Sequence, residues 1–148
     1  MLIGSAVHGI DPKSRVFIPS KWRGDLGETI ILTHGILGTD EITCLFGMSE
    51  QGWREFATRF STLPESDVMA QAFRRMMFAN AAECEMDKQG RILIPSSLYK
   101  YAKLDKEAVL VGMGSRIEIW SPESWEKHNT GISTEYQSAL RRLLEMGI

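Results

Sequence analysis

The residues of this chain most suited to chemistry are four cations that occur as two matching pairs. Lys13 and Arg15 lie in the stretch DPKSRVFIPS, and Lys88 and Arg91 lie in the stretch DKQGRILIPS. Arg can hold O6 and N7 of a guanine with two hydrogen bonds, whereas Lys suits a backbone phosphate. We therefore expect base contacts from Arg15 and Arg91 and phosphate contacts from Lys13 and Lys88. The alternative for each arginine is a salt bridge to the aspartate that begins its stretch.

Positive charge is concentrated around these two stretches. Residues 11–24 and residues 87–103 each carry four cations and one aspartate, a net charge of +3. The whole chain has a net charge of −2, so the remaining residues sum to −8. An ordinary solvated surface would explain one such cluster. The same cluster in both stretches favours a nucleic-acid-binding surface, because clustered Lys and Arg are its electrostatic signature.

Each stretch begins with a turn. Asp at the first position and a small residue at the fourth are typical of a type I turn, and Asp11 with Ser14 and Asp87 with Gly90 fit this pattern. Gly at the fourth position often adopts a positive φ and introduces a bulge, so Ser14 carries modest strain there. We expect these four residues to shape two rigid hairpin tips that project the cations.

The repeat continues beyond these stretches. Each copy predicts a turn, a strand that ends at Pro, a loop, two further strands and a helix that carries a Trp. The later strands are predicted at Thr29–Leu32, Ile42–Phe46, Ala108–Val111 and Ile117–Trp120. A repeat of this length indicates two copies of one small domain rather than a solenoid. The predicted fold class is α+β, mainly β.

The repeat and the helical periodicities also give a domain organisation. The predicted parts are a first repeat with its helix (1–65), a connecting helix (66–81), a second repeat (82–128) and a C-terminal helix (129–148). Ser121 followed by Pro predicts the start of one helix, and Thr134 with Gln137 forms a capping box for the last one.

Several classes of protein are excluded or disfavoured. Apolar residues make up 43% of the 148 residues, and there is neither a membrane-length apolar run nor a signal peptide, so we expect a cytoplasmic protein. Cys44 and Cys84 lie in strand patterns and are expected as core thiols. The three His residues lack partners at metal-ligand spacing, and no nucleophile motif is present. We expect no enzyme, catalytic residue, metal, cofactor, membrane contact or small-molecule substrate.

The doubled motif resembles the AbrB-like swapped-hairpin transcription factors. With the later Val109–Gly112 and Ile117–Trp120 segments, two copies in a chain of this length resemble the MraZ family, although Ser14 stands where the family has Gly. The resemblance implies two β-barrel halves that exchange hairpins, flanking helices and a ring-shaped homo-oligomer. It also implies a nucleoid-associated, sequence-specific regulator of the division and cell-wall gene cluster, which autoregulates by binding short direct repeats in double-stranded DNA.

A second function remains open from sequence. Swapped-hairpin domains also serve as antitoxins, so the alternative is an antitoxin-like or other protein-interaction module. The short tail, which is predicted as a capped helix, counts against a tail that wraps around a toxin.

Overall fold

The computed structural model describes residues 1–37, 41–133 and 135–148. It confirms the α+β class, with 41% helix and 27% strand, so helices take a larger share than the mainly β prediction implies. In the described parts of the chain, every helix is too short or too polar to cross a membrane.

The elements follow one another in the same order in both repeats. The strands of the described residues are β1 (Ser5–Gly9), β2 (Arg15–Phe17), β3 (Thr29–His34), β4 (Leu45–Ser49), β5 (Ala82–Glu85), β6 (Arg91–Leu93), β7 (Glu107–Gly112) and β8 (Ile117–Trp120). The α-helices of the same residues are α1 (Ser20–Leu26), α2 (Glu50–Thr58), α3 (Val68–Ala79), α4 (Ser96–Tyr101), α5 (Pro122–Ser133) and α6 (Tyr136–Glu145). A short 3₁₀ turn, Arg59–Thr62, lies between α2 and α3.

Strands of the two repeats pair with each other. Six strands form one sheet in the order β1-β7-β8-β4-β3-β5, and β2 pairs with β6 in a separate antiparallel ribbon. The first strand of each repeat pairs with the third-strand position of the other, with Ser5 opposite Val111 and Ala82 opposite Leu32. Both repeats contribute strands to one sheet, and this sheet does not divide the chain into separate units. The domain boundaries at 65, 81 and 128 therefore stay a prediction.

Both faces of the sheet pack against other elements, because successive side chains of a strand point to opposite sides. One face packs on the ribbon, and the buried residues there include Val16, Ile92, Leu32 and Leu110. The other face packs on helices α2, α3 and α5, and its buried residues include Phe46, Met48, Phe60, Met77 and Trp120. The ribbon is therefore anchored on its inner side by a continuous apolar core.

The loop predicted after each ribbon strand is wrong, because α1 and α4 begin there directly after Pro19 and Pro95. These helices contain only 7 and 6 residues, so a 3.6-residue apolar period has too few turns to be recognised. Their buried residues are Trp22 and Leu26 in α1 and Leu98 in α4, and all three pack in the core beneath the ribbon.

The strand predicted at Ile42–Phe46 also lies elsewhere, because β4 runs over Leu45–Ser49. Gly47, the residue after the predicted strand, lies within β4. A Cβ on Gly47 would be 2.9 Å from Cγ1 of Ile117, so the missing side chain allows the neighbouring strand to pack closely. β4 ends at Ser49, whose hydroxyl oxygen accepts the Gly52 N–H at the start of α2.

Other local predictions are confirmed. The Ser124 N–H donates to the Ser121 hydroxyl oxygen at 3.1 Å, so Ser121 caps α5 as expected. Cys44 and Cys84 are buried free thiols. Thr134, the predicted cap of the last helix, lies outside the described residues.

Candidate nucleic-acid interface

The first hairpin tip is organised by one aspartate. The Oδ1 atom of Asp11 accepts hydrogen bonds from the backbone N–H groups of Lys13 and Arg15, each at 2.9 Å. The Asp11 carbonyl accepts the Ser14 N–H at 2.9 Å, the i to i+3 bond of a β-turn. Ser14 has φ of 63°, the left-handed conformation that L residues rarely adopt.

The second tip repeats this pattern of bonds. The Oδ1 atom of Asp87 accepts the backbone N–H groups of Gln89 and Arg91, each at 2.9 Å. The Asp87 carbonyl accepts the Gly90 N–H at 3.0 Å, and Gly90 has φ of 82°. The same backbone geometry is therefore built by Ser in one repeat and by Gly in the other.

Each aspartate also orients the arginine of its own repeat. The Arg15 Nε donates to Oδ2 of Asp11 at 2.7 Å, and the Arg91 Nε donates to Oδ2 of Asp87 at 2.9 Å. The salt bridge considered as the alternative role of both arginines is thus present. Both bonds are donated by Nε, so each aspartate holds one edge of the guanidinium and sets its orientation. The side chains of Arg15 and Arg91 are 30% and 20% exposed, so both remain accessible to a ligand.

These contacts keep both turn carboxylates ionised. The pKa of Asp11 lies below its ordinary value, chiefly because the backbone N–H of Arg15 bonds to the carboxylate, with further help from the Arg15 side chain. The pKa of Asp87 is lowered in the same way, chiefly by the backbone N–H of Arg91. Each arginine therefore has a charged partner at neutral pH.

Each tip is also bonded to the residue that follows the ribbon strand of the other repeat. The Ile18 N–H donates to the Gly90 carbonyl at 2.9 Å, and the Ile94 N–H donates to the Ser14 carbonyl at 2.9 Å. The Arg23 Nε donates to the Ile18 carbonyl at 2.9 Å, and its guanidinium lies directly over the second tip. A Cβ on Gly90 would be only 2.1 Å from Cζ of Arg23. A side chain at position 90 would therefore displace the Arg23 guanidinium from this tip.

The predicted site residues of both repeats meet at the ribbon. The antiparallel register places Arg15 opposite Leu93 and Phe17 opposite Arg91. The turn of each repeat precedes its own ribbon strand, so the exposed Lys13 and Lys88 flank the ribbon at its two ends. Nη1 of Arg91 lies 3.7 Å from Oδ2 of Asp11, a cross-repeat ion pair.

Sequence reasoning missed two members of this surface. Phe17 and Leu93 are 42% and 54% exposed, although both lie in strands whose central residues, Val16 and Ile92, are fully buried. The signal was available, because alternation along a three-residue strand with a buried centre turns its first and last residues outward. The outer face of the ribbon thus consists of Arg15, Phe17, Arg91 and Leu93, and we call it the ribbon face.

Comparison with known proteins assigns the chain to a family. Residues 1–76 and residues 77–144 each match the family model described as "MraZ protein, putative antitoxin-like". The chain belongs to the MraZ family. The two matches correspond to the two repeats, whose strands pair with each other in one sheet.

Individual MraZ relatives are similar along their whole length. The protein named "Transcriptional regulator MraZ" from Caldicellulosiruptor saccharolyticus is 45% identical over 148 residues, which cover 100% of both chains. The protein of the same name from Carboxydothermus hydrogenoformans is 43% identical over 145 residues, 98% of both chains. A third, from Thermoanaerobacter pseudethanolicus, is 41% identical over 148 residues, 100% of both chains. The MraZ family consists of transcriptional regulators and not of enzymes, as expected.

The described residues also contain no group of three or more His, Cys, Asp or Glu side chains that could hold a metal ion. Burial raises the pKa of the Cys84 thiol to about 11, so this group is protonated at neutral pH. Burial likewise raises the pKa of the Cys44 thiol. Both thiols are thus buried and protonated, whereas the cations Lys13, Arg15, Lys88 and Arg91 lie at or beside the ribbon.

Proposed function

We propose that this MraZ-family regulator binds double-stranded DNA sequence-specifically through the ribbon face and the two turns beside it. The observation that carries the proposal is the meeting of both repeats at one short ribbon. Arg15 and Arg91 lie on its outer face, and Lys13 and Lys88 flank it at its two ends. The major groove of B-DNA is wide enough to admit a two-stranded β-ribbon.

The arginines and the lysines make different contacts with DNA in this proposal. Arg15 and Arg91 contact guanine edges, and their Nε bonds to Asp11 and Asp87 hold each guanidinium in place before DNA arrives. A side chain that is already ordered loses less conformational entropy on binding. The flanking lysines have no such anchor among the hydrogen bonds described, and they suit phosphates, which position a protein without reading sequence.

The test is a series of gel shifts on operator and scrambled duplexes at several salt concentrations. Arg15→Ala should lose specific binding, at about 1–3 kcal/mol for each engaged subunit. Arg15→Lys should lose it similarly, because Lys keeps the charge but cannot form the two-bond contact. Lys13→Ala should weaken binding to both duplexes and reduce the slope of log K against log salt by about one.

The matched control is Arg54→Ala, because Arg54 is an exposed cation on α2, away from the ribbon. Circular dichroism and thermal melts check that each variant is folded, since Arg15 also bonds within its turn. Binding of the operator by folded Arg15→Ala and Arg15→Lys at wild-type affinity would show that Arg15 has only a structural role.

We extend the proposal to the target. The family resemblance favours short, guanine-containing direct repeats upstream of the chain's own operon, in the division and cell-wall gene cluster, with autoregulation as the outcome. Footprinting on that upstream region tests this directly. Protection without any repeated guanine-containing element would contradict the direct-repeat arrangement while leaving DNA binding intact.

The swapped-hairpin architecture belongs to the same proposal. Reciprocal pairing of β1 with β7 and of β5 with β3 supports a hairpin exchange between the two halves. Cross-repeat bonds from Ile18 to Gly90 and from Ile94 to Ser14 support it further.

We also propose a homo-oligomer, arranged as a ring. The support is α6, whose apolar residues Tyr136, Leu140, Leu143 and Leu144 are 58%, 41%, 42% and 64% exposed. The connecting helix α3 instead buries Met77 in its own chain. An amphipathic helix gains most of its stability from packing its apolar face, so the α6 stripe favours a second copy as its partner.

Native mass spectrometry tests the assembly. Wild-type protein at micromolar concentration should be oligomeric, and Leu140→Ser/Leu144→Ser should shift it toward monomer. Ser138→Ala/Glu145→Gln, on the opposite face of α6, is the control. A wild-type protein that is monomeric throughout would refute the ring.

The antitoxin-like alternative has one observation in its favour, since the exposed α6 stripe is also an apolar surface to which a different protein would bind. The two functions separate in one experiment. A protein-interaction module would form a stoichiometric complex with a specific partner through α6, and the complex would survive Arg15→Ala but not Leu140→Ser/Leu144→Ser.

A further inference from the structure

We infer that Phe17 and Leu93 are specificity-determining residues that contact the C5-methyl groups of thymines in the bound DNA. The inference rests on the proposed function and deepens it, because it adds a second kind of base to the arginine–guanine contacts. The ribbon face would then read a combination of guanine and thymine.

The first argument is the position of these two side chains. Phe17 is 42% exposed and Leu93 is 54% exposed, while the adjacent Val16 and Ile92 are fully buried. Both exposed side chains thus lie on the side of the ribbon that faces away from the core. Phe17 and Leu93 occupy equivalent positions in the two repeats, two residues after Arg15 and Arg91. An exposed apolar residue thus occurs at the same position in both repeats.

The second argument is the pairing across the ribbon. The register places each exposed apolar residue opposite an arginine, with Arg15 beside Leu93 and Arg91 beside Phe17. The Cζ atom of Arg91 lies 5.8 Å from the centre of the Phe17 ring, within the range of a cation–π contact. Phe17 therefore lies beside a guanidinium that we assign to a guanine.

The third argument is chemical. The major groove offers hydrogen-bonding atoms and one apolar group, the C5-methyl of thymine, and Phe is among the side chains that contact it. An exposed Phe or Leu gains nothing from phosphates or from guanine O6 and N7. On a face that enters the groove, the thymine methyl is the feature that apolar side chains can desolvate favourably.

Charge decides against a second copy of the chain as the occupant of this face. Two ribbon faces in contact would bring Arg15, Arg91, Lys13 and Lys88 of both copies together, and like charges in close contact are unfavourable. DNA supplies the opposite charge over the whole footprint. The apolar pair lies within the cationic surface, so the ligand that satisfies the cations also meets the apolar side chains.

The experiment removes the methyl group and nothing else. A binding site is first selected from a random duplex pool with the full-length protein, and each thymine of that site is then replaced in turn by deoxyuridine. Uracil pairs with adenine and keeps its O4 acceptor, but it lacks the C5-methyl. Wild-type affinity should fall about fourfold for each contacted methyl, the factor that corresponds to burying one methyl-sized group.

The variants complete a thermodynamic cycle. Phe17→Ala should weaken binding to the thymine duplex and should then be insensitive to deoxyuridine at one position of the site. Leu93→Ala should be insensitive at a different position. The matched control is Val7→Ala, because Val7 is 58% exposed and is paired with Val109 on the sheet face opposite the ribbon. This variant should keep full sensitivity.

The outcomes separate this inference from the proposed function. If no deoxyuridine substitution changes wild-type affinity while Arg15→Ala still abolishes specific binding, the thymine contact is wrong and the DNA-binding proposal stands. If the protein selects no DNA site at all, both proposals fail. The deoxyuridine series uses only wild-type protein, so its result does not depend on whether any variant folds.

Discussion

Replacing Gly90 with Ala should destabilise the fold, for two reasons that can be measured separately. The first is conformational, because Gly90 has φ of 82°, where a Cβ is unfavourable. The second is steric, because the new Cβ would lie 2.1 Å from Cζ of Arg23. Arg23 would have to move and would give up its Nε bond to the Ile18 carbonyl.

The size of each effect follows from these contacts. A left-handed conformation costs a residue with a Cβ about 1–2 kcal/mol, and the reduced freedom of Ala in the unfolded chain offsets about half of that. Loss of one hydrogen bond adds about 1 kcal/mol. We therefore expect Gly90→Ala to lower the free energy of unfolding by about 2 kcal/mol. For a chain of this size, the melting temperature should fall by about 4–8 °C.

Urea and thermal denaturation of four proteins test the reasoning: wild type, Gly90→Ala, Arg23→Ala and the double variant. In the Arg23→Ala background, Gly90→Ala should retain only the conformational part, about 1 kcal/mol. Ser14→Ala is the matched control at the equivalent turn position, where a Cβ is already present, and should change stability by less than about 0.5 kcal/mol. If Gly90→Ala destabilises the Arg23→Ala protein as much as it destabilises wild type, the steric argument is refuted. If Gly90→Ala does not destabilise wild type at all, both arguments are refuted.

Three further predictions concern the turns and the core. Ser14→Gly should stabilise the protein by a few tenths to about 1 kcal/mol in thermal melts, because φ at this position is 63°, and a destabilised variant would contradict the assigned strain. The folded-state pKa values of Asp11 and Asp87 are lowered, so their stabilising contribution is complete above the ordinary Asp pKa and is lost as the pH falls through the folded values. The Asp11→Asn/Asp87→Asn variant should therefore be less stable than wild type at pH 7, and denaturation curves should converge at acidic pH; a difference that stays constant with pH would show that ionisation is irrelevant. Thr33→Val should cost about 1–2 kcal/mol in urea denaturation, because the fully buried Thr33 hydroxyl donates to the Met77 carbonyl at 3.0 Å, and Thr58→Val, which removes an exposed hydroxyl on α2, is the control.

The sequence was most informative where a pattern occurred twice. The doubled motif predicted the two turns, the strands that follow them and the clustering of cations, because turn chemistry and strand alternation are local properties. One copy of the Asp–Ser/Gly turn would have been weak evidence. Ser121 and the two buried thiols were also predictable from their immediate neighbours.

The remaining features depend on contacts between distant residues. Helix α1 was missed because its two buried residues, Trp22 and Leu26, give too short a periodic pattern, and they are defined by the core that they enter. The strand predicted at Ile42–Phe46 stopped before Gly47, because the role of this glycine is the close approach of Ile117, which lies in the other repeat. Strand alternation indicated that Phe17 and Val16 lie on opposite faces of the ribbon, but which of the two faces is buried depends on the core that Val16 enters.

The pairing of β1 with β7 has a consequence for how the chain is made. Ser5 cannot reach its partner until Val111 has been synthesised, and at about 5–20 residues per second the wait on the ribosome lasts several seconds or more. During that time the third strand of the first repeat also lacks its neighbour β5, so an open strand edge is presented to other nascent chains. Two chains translated side by side on one messenger could complete each other's sheets, which would join subunits before either was finished. The speed of translation through residues 82–111 would then influence the yield of correctly paired protein, and slowing it would favour pairing between neighbours.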